Sequence, residues 1–165
     1  MIREIEAKEI KSLVSSAIEH HGKHQDALIS ILTEVNDRYG YIPPEAFKEI
    51  RIQLNIADGG IHTSESHLFG LASFYQMLST TPVGSHVIRF CESAPCHVMG
   101  GRQLFQAVKD YLKIEPGETS PDGQWTLITT SCLGTCGVGP VMLVDDDIYG
   151  NVTPDQISEI FSRYA

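Results

Sequence analysis

Apolar residues recur at helical spacing through the first half of the chain. Ile10, Leu13, Val14, Ala17 and Ile18 fall at i, i+3, i+4, i+7 and i+8, which predicts one face of a helix from about residue 5 to 20. Gly22 interrupts the pattern. Leu28, Ile31, Leu32 and Val35 resume it, and Gly40 stands where a left-handed helix cap is expected. Pro43-Pro44 predicts the first turn of a third helix, where a missing N–H has no partner to lose, with Phe47, Ile50 and Leu54 facing inward. Asp58-Gly59-Gly60 reads as a turn. A fourth helix is expected after Thr63 or Ser64, burying Leu68, Leu71, Ala72, Tyr75 and Leu78. These four segments make a small helical bundle, and Thr80-Thr81-Pro82-Val83-Gly84 reads as the linker that follows it.

The period then changes. His86 to Cys91 is a short β-rich run, followed by a loop that ends at Gly100-Gly101. Leu104, Phe105, Val108 and Leu112 mark a helix to about residue 113. Pro121-Asp122-Gly123 is a turn before a strand from Trp125 to Thr130. Val141 to Val144 and Ile148-Tyr149 flank Asp145-Asp146-Asp147 as a hairpin. Thr153-Pro154-Asp155-Gln156 carries the capping signature of a last helix, which buries Ile157, Ile160 and Phe161. The expected class is α+β: a helical bundle, then one small sheet in the order β-α-β-β-β-α.

Composition narrows the function classes. The 165 residues are 42% apolar and 20% charged, which is globular. No apolar run approaches the ~18 residues of a membrane span, and the N-terminus alternates charge without the apolar stretch of a signal peptide. Direct membrane insertion is therefore not expected, and a reducing, cytoplasmic location is. There, thiols usually serve metals or catalysis rather than disulfides. The net charge of −9 divides into about −4 and about −5 on either side of residue 84, so neither part offers a basic face for nucleic acid.

All four cysteines lie in the second half, as C-x4-C, 35 intervening residues and C-x3-C. Cys91 and Cys96 follow one strand, and Cys132 and Cys136 sit between two later ones, so the fold has to bring two loops together. Four thiolates suit zinc or an iron–sulfur cluster. Structural zinc favours short knuckles at both ends, which the second pair fits loosely. Three glycines around Cys132 and Cys136 let the backbone wrap a cluster and aim N–H groups at sulfur. Spacing alone places a cluster ahead of zinc, with disulfides or unliganded thiols behind both. Dithiol exchange needs C-x-x-C, and no such pair exists.

Taken with their surroundings, these residues resemble a known family. The four-cysteine spacing, Cys96-His97-Val98, the run from Cys132 to Pro140 and the run from Tyr149 to Pro154 are similar to the thioredoxin-like [2Fe–2S] ferredoxin subunits of NADH dehydrogenases. The small subunits of complex I, of NAD(P)-linked [FeFe]-hydrogenases (electron-bifurcating ones included), of transhydrogenases and of formate dehydrogenases belong to the same family. In the first half, Leu28 to Val35, Tyr39 to Pro43 and Ala72 to Tyr75 look like its helical region. The resemblance implies a helical domain over 1–80 and a thioredoxin-like ferredoxin domain over 85–165. It implies that Cys91 and Cys96 hold one iron of a [2Fe–2S] cluster and Cys132 and Cys136 the other.

The implied partners are a flavoprotein subunit carrying FMN and the NAD(P)H site, and a larger iron–sulfur or hydrogenase-type subunit. This chain then relays single electrons without a substrate pocket of its own. A soluble hydrogenase or transhydrogenase, of the electron-bifurcating kind among others, is the expected parent. The alternatives are respiratory NADH:quinone oxidoreductase and, in another class, a zinc-stabilised interaction module. Glu92-Ser93-Ala94-Pro95 and Met99 depart from the commoner family pattern without removing a ligand, and they bear on the potential and the local contact surface. A potential a few hundred millivolts below zero is expected, in the range of such ferredoxins.

The remaining chemistry-bearing residues have plainer readings. His20, His21 and His24 read as a solvated helix end, and His97 as a residue that packs or hydrogen-bonds near the cluster. His62, His67 and His86 carry no pattern. Asp145-Asp146-Asp147 fits a turn better than a calcium loop, whose ligands spread over more positions. Phe74-Tyr75 reads as helix core, with a partner-facing role as the alternative.

Overall fold

The computed structural model describes residues 7–56 and 61–164. The chain divides into two compact units between Pro82 and Val83. The first is helical: α1 Ala7–His21, α2 Leu28–Tyr39, α3 Pro44–Ile56 and α4 Glu65–Phe74. The 3.6-residue apolar rows meet in one core, where Val14, Ile31, Leu32, Val35, Ile42, Ile50, Leu54 and Leu68 are fully buried. Gly40 ends α2 at φ 77°, its N–H donating to the Asn36 carbonyl, a conformation that a side chain would strain. The side chain of Ser64 caps α4 by accepting the His67 N–H. The expected turn at Asp58-Gly59-Gly60 lies outside the described residues.

Two expectations for α4 need correction. The helix stops at Phe74, so Tyr75 is extended and half-buried, and Leu78 is buried from the turn beyond rather than from the helix. Phe74, read as core, is 77% exposed. It falls six positions after Leu68 and two after Ala72, which turns it away from the face those residues bury.

The second unit is a four-stranded sheet in the order β2-β1-β3-β4, built from β1 His86–Cys91, β2 Trp125–Thr130, β3 Val141–Val144 and β4 Asp147–Gly150. β1 runs parallel to β2 and antiparallel to β3, which pairs antiparallel with β4. Between β1 and β2 come a single helical turn, α5 Ala94–Cys96, a wider π-type turn at His97–Gly101, and α6 Arg102–Leu112. The stretch expected as a loop before Gly100-Gly101 is thus largely helical turn, because its backbone satisfies itself locally, as in the His97 N–H to Ser93 carbonyl bond. α7 Ile157–Ser162 follows the capping box at Thr153, where the Gln156 side chain accepts the Thr153 N–H at 2.9 Å.

Leu104 and Val108 of α6 pack with Ile157, Ile160 and Phe161 of α7 and with Ile88, Phe90, Leu127, Met142 and Val144 of the sheet. The α+β class and the order of elements along the chain are as expected. Among the described residues, no helix is long and apolar enough to cross a membrane.

Candidate metal centre

The parallel register of β1 and β2 sets Cys91 opposite Thr130 at the same end of the sheet. The chain leaving β1 carries Cys96, and the chain leaving β2 carries Cys132 and Cys136. Side-by-side parallel strands therefore deliver both loops to one place, although 35 residues separate the two pairs. Cys91 and Cys96 are buried with Val141 and the partly buried Leu133. Cys136 is half-buried and Cys132 exposed.

Within each pair the sulfurs are close. Cys132 Sγ and Cys136 Sγ are 3.4 Å apart, and the Cys91 and Cys96 thiols hydrogen-bond to each other. The two pairs also sense one another, since Cys136 would repel a thiolate at Cys96 and Cys91 one at Cys136. Yet no three of these sulfurs lie within 4.8 Å of one another. A single tetrahedral zinc ion would hold all four about 3.8 Å apart. The two neighbouring pairs depart from that arrangement.

The thiols differ in readiness to ionise. Burial opposes ionisation of Cys91, but N–H groups of Ser93 and Leu133, the Cys96 thiol and the Ser93 hydroxyl outweigh it and hold the pKa below the ordinary value. Burial pushes Cys96 up, and the adjacent Cys91 adds to the rise against a bond from the Val141 N–H. Cys136 is raised by its hydrogen bond to Cys132 and by that neighbour's charge. The Gly134 N–H points at Cys132 Sγ from 3.4 Å. N–H groups aimed at the sulfurs of Cys91, Cys96 and Cys132 are the surroundings that an anionic iron–sulfur centre requires.

Two glycines permit the approach. A Cβ on Gly101 would sit 2.6 Å from the Cys96 carbonyl oxygen, and one on Gly139 would meet Met99 Sδ at 3.3 Å and Cys96 Sγ at 3.4 Å. Gly101 lets the turn after Cys96 close, and Gly139 lets the second loop lie against the first. Val98, Met99 and Val138 stand exposed on the same loops, Val98 at 84%.

His97 is exposed and points to Arg102, with Nε2 3.0 Å from Nη2. The Asp145-Asp146 pair forms the β3–β4 turn, with Asp145 at φ 54°. Asp145 also accepts the Val87 N–H at 2.8 Å and lies 2.7 Å from His86 Nδ1. That partnership has no local sequence signal, because it joins the β3–β4 turn to β1, far apart in sequence. Nor does local pattern show that His20 and His21 converge on Glu34.

A mixed sheet whose parallel strand ends present two thiol pairs, backed by N–H donors, defines an iron–sulfur protein. The chain matches the thioredoxin-like [2Fe–2S] ferredoxin family over residues 14–165 and belongs to it, and its cofactor is a [2Fe–2S] cluster. It is 37% identical over 163 residues to a subunit of the NADH-quinone oxidoreductase of Salmonella typhimurium, covering 96% of this chain and 94% of that one. It is 31% identical over 147 residues to a subunit of the NADP-reducing hydrogenase of Solidesulfovibrio fructosivorans, covering 89% of this chain and 82% of that one. A solved NAD+-reducing [NiFe]-hydrogenase shares the fold, with a TM-score of 0.66 at 18% identity over 81% of this chain; the match spans 22% of the hydrogenase chain.

Proposed function

We propose that this chain is the electron-transfer subunit of a multi-subunit NAD(P)H-linked oxidoreductase, with Cys91 and Cys96 holding one iron of its cluster and Cys132 and Cys136 the other. The cluster supplies one-electron uptake and release, which a hydride donor alone cannot do. The helical part over 1–80 and the ferredoxin part over 85–165 act as separate domains. The observation that carries the reading is the asymmetry of the four thiols: one pair buried against Val141, the other open at Cys132. The buried pair anchors and excludes water, while the open pair brings one metal position to the surface, where a partner's redox centre can approach.

Val98, Met99 and Val138 make an apolar rim beside that opening, suited to docking on a partner that carries FMN and the NAD(P)H site. The chain itself has no role in hydride chemistry and works in the cytoplasm, peripheral to any membrane. The parent complex is a soluble hydrogenase or transhydrogenase, electron-bifurcating in one form, with a larger iron–sulfur or hydrogenase-type subunit beside it. The relative in the NADP-reducing hydrogenase supports this. A second reading, the peripheral subunit of a respiratory NADH:quinone oxidoreductase, is favoured by the higher identity to the Salmonella relative.

Cys132→Ser in the assembled complex tests the proposal. The variant is expected to lose the visible absorption and EPR signal of this cluster and to stop onward electron flow, while NADH oxidation by the flavoprotein with an artificial acceptor persists. A wild-type signal in the variant would remove Cys132 from the ligand set. Redox titration of the unsubstituted protein followed by EPR is expected to place the midpoint a few hundred millivolts below zero, roughly as in plant-type ferredoxins. A midpoint above zero would sink the low-potential reading.

A further inference from the structure

Away from the cysteines, ligand-bearing side chains gather at the end of α1. His21 Nε2 lies 2.8 Å from Glu34 Oε2 of α2, and His20 Nδ1 lies 3.6 Å from the same oxygen. One ligand atom from each of the three residues falls within 4.8 Å of the other two, the one such group among the described residues. The imidazoles stack, with centroids 4.5 Å apart and planes 28° from parallel.

An ordinary ion pair explains only part of this. Successive residues on a helix point about 100° apart, so adjacent histidines diverge unless something draws them together. His21 and Glu34 alone satisfy one hydrogen bond. His20 is too far from the carboxylate for another, since 3.6 Å exceeds hydrogen-bond reach, and it makes the stack nonetheless. With its N–H on Nε2, His21 donates to Glu34 Oε2 at 2.8 Å, and His20 Nδ1 faces the same oxygen from 3.6 Å without a hydrogen bond to it.

A divalent cation would engage all three ligand atoms at once, the His20 nitrogen included. A tetrahedral ion with bonds of about 2.0–2.1 Å sets neighbouring ligand atoms about 3.3 Å apart, and the two measured separations lie on either side of that spacing. Two imidazoles and one carboxylate suit zinc and its transition-metal neighbours, whereas calcium and magnesium prefer all-oxygen shells. His21 and Glu34 are half-buried at 27% and 29% side-chain exposure, and His20 is open at 74%. Two half-buried ligands and one exposed ligand leave a fourth position for water.

We propose that His20, His21 and Glu34 form a binding site for one zinc-class divalent ion, which clasps the end of α1 to α2. The site belongs to the helical part and is independent of the cluster. The full chain with its cluster in place, titrated with zinc chloride by calorimetry, is expected to bind one equivalent without change in cluster absorption. X-ray absorption at the zinc edge should report nitrogen and oxygen neighbours.

His21→Ala and Glu34→Gln should each weaken binding at least about tenfold, since loss of even outer-shell partners costs about 10–100-fold. Zinc should raise the unfolding temperature of the unsubstituted chain and not that of Glu34→Gln. His20→Ala, altered at the most exposed of the three, keeps the comparison available if His21→Ala disturbs folding. Unchanged affinity in Glu34→Gln and His20→Ala, sulfur neighbours at the zinc edge, or no saturable binding would each overturn the proposal.

Discussion

The cysteines work through the residues that let them converge, and at this scale glycine matters more than charge. Gly101 is the sharpest case, because any Cβ there would lie 2.6 Å from the carbonyl oxygen and 3.0 Å from the carbonyl carbon of Cys96. Neither atom belongs to a side chain that can swing away. Gly137, on the second loop, has nothing within 4 Å of the same position. Gly101→Ala is therefore expected to destabilise the cluster-loaded protein by about 1–3 kcal/mol, the usual cost of overpacking, and to lower cluster occupancy. Gly137→Ala should stay within about 0.5 kcal/mol. Denaturant unfolding with iron quantification checks the pair, and equal behaviour would show that Cys96 does not need the close turn. The composition of these loops is visible in the sequence, but which glycine is indispensable is not. That depends on a contact made only after the turn following Cys96 has closed.

At the scale of elements, the hairpin of β3 and β4 does more than reverse the chain. Asp145 adopts φ 54°, a conformation that aspartate and asparagine tolerate better than other side-chain-bearing residues. From there its carboxylate accepts the Val87 N–H at 2.8 Å, and its own N–H donates to the Val87 carbonyl at 2.9 Å. The turn is thus stapled to the start of β1, the strand that ends at Cys91. Asp145→Ala removes the acceptor and strains the turn, with an expected cost of about 1–3 kcal/mol for the orphaned N–H. Asp145→Asn keeps both an amide oxygen and the tolerated backbone, so less than about half of that loss is expected. Thermal unfolding of the two variants, compared with the parent, checks the order; equal losses would mean that the charge, not the bond, holds the turn. A turn at Asp145-Asp146 is readable from composition, although Asp147, expected within it, begins β4. Its tie to Val87 and His86 crosses from the β3–β4 turn to β1 and has no local signal.

At the scale of the whole molecule, the buried clusters of the two units share no residue. The helical core runs from Ile10 to Leu78 and the sheet core from Ile88 to Phe161, and all four cysteines belong to the second unit. A chain beginning at Val83 is accordingly expected to fold, to take up its [2Fe–2S] cluster and to give an EPR signal like that of the full protein. A colourless or unfolded product would show that the helical unit is needed for the centre to form.

Taken alone, the amino-acid sequence determined the four helices, the β-α-β-β-β-α order, the capping at Gly40 and Thr153, and the four thiols as a candidate ligand set. Each of these rests on short-range physics: apolar periodicity, backbone conformation and residue chemistry within a few positions. Tertiary structure decided which thiols are buried, how closely the two loops meet, that α4 ends before Tyr75 and leaves Phe74 exposed, and that His20 and His21 face Glu34. Those outcomes depend on groups far apart in sequence being set side by side by strand register and helix packing. No local pattern encodes distances of that kind.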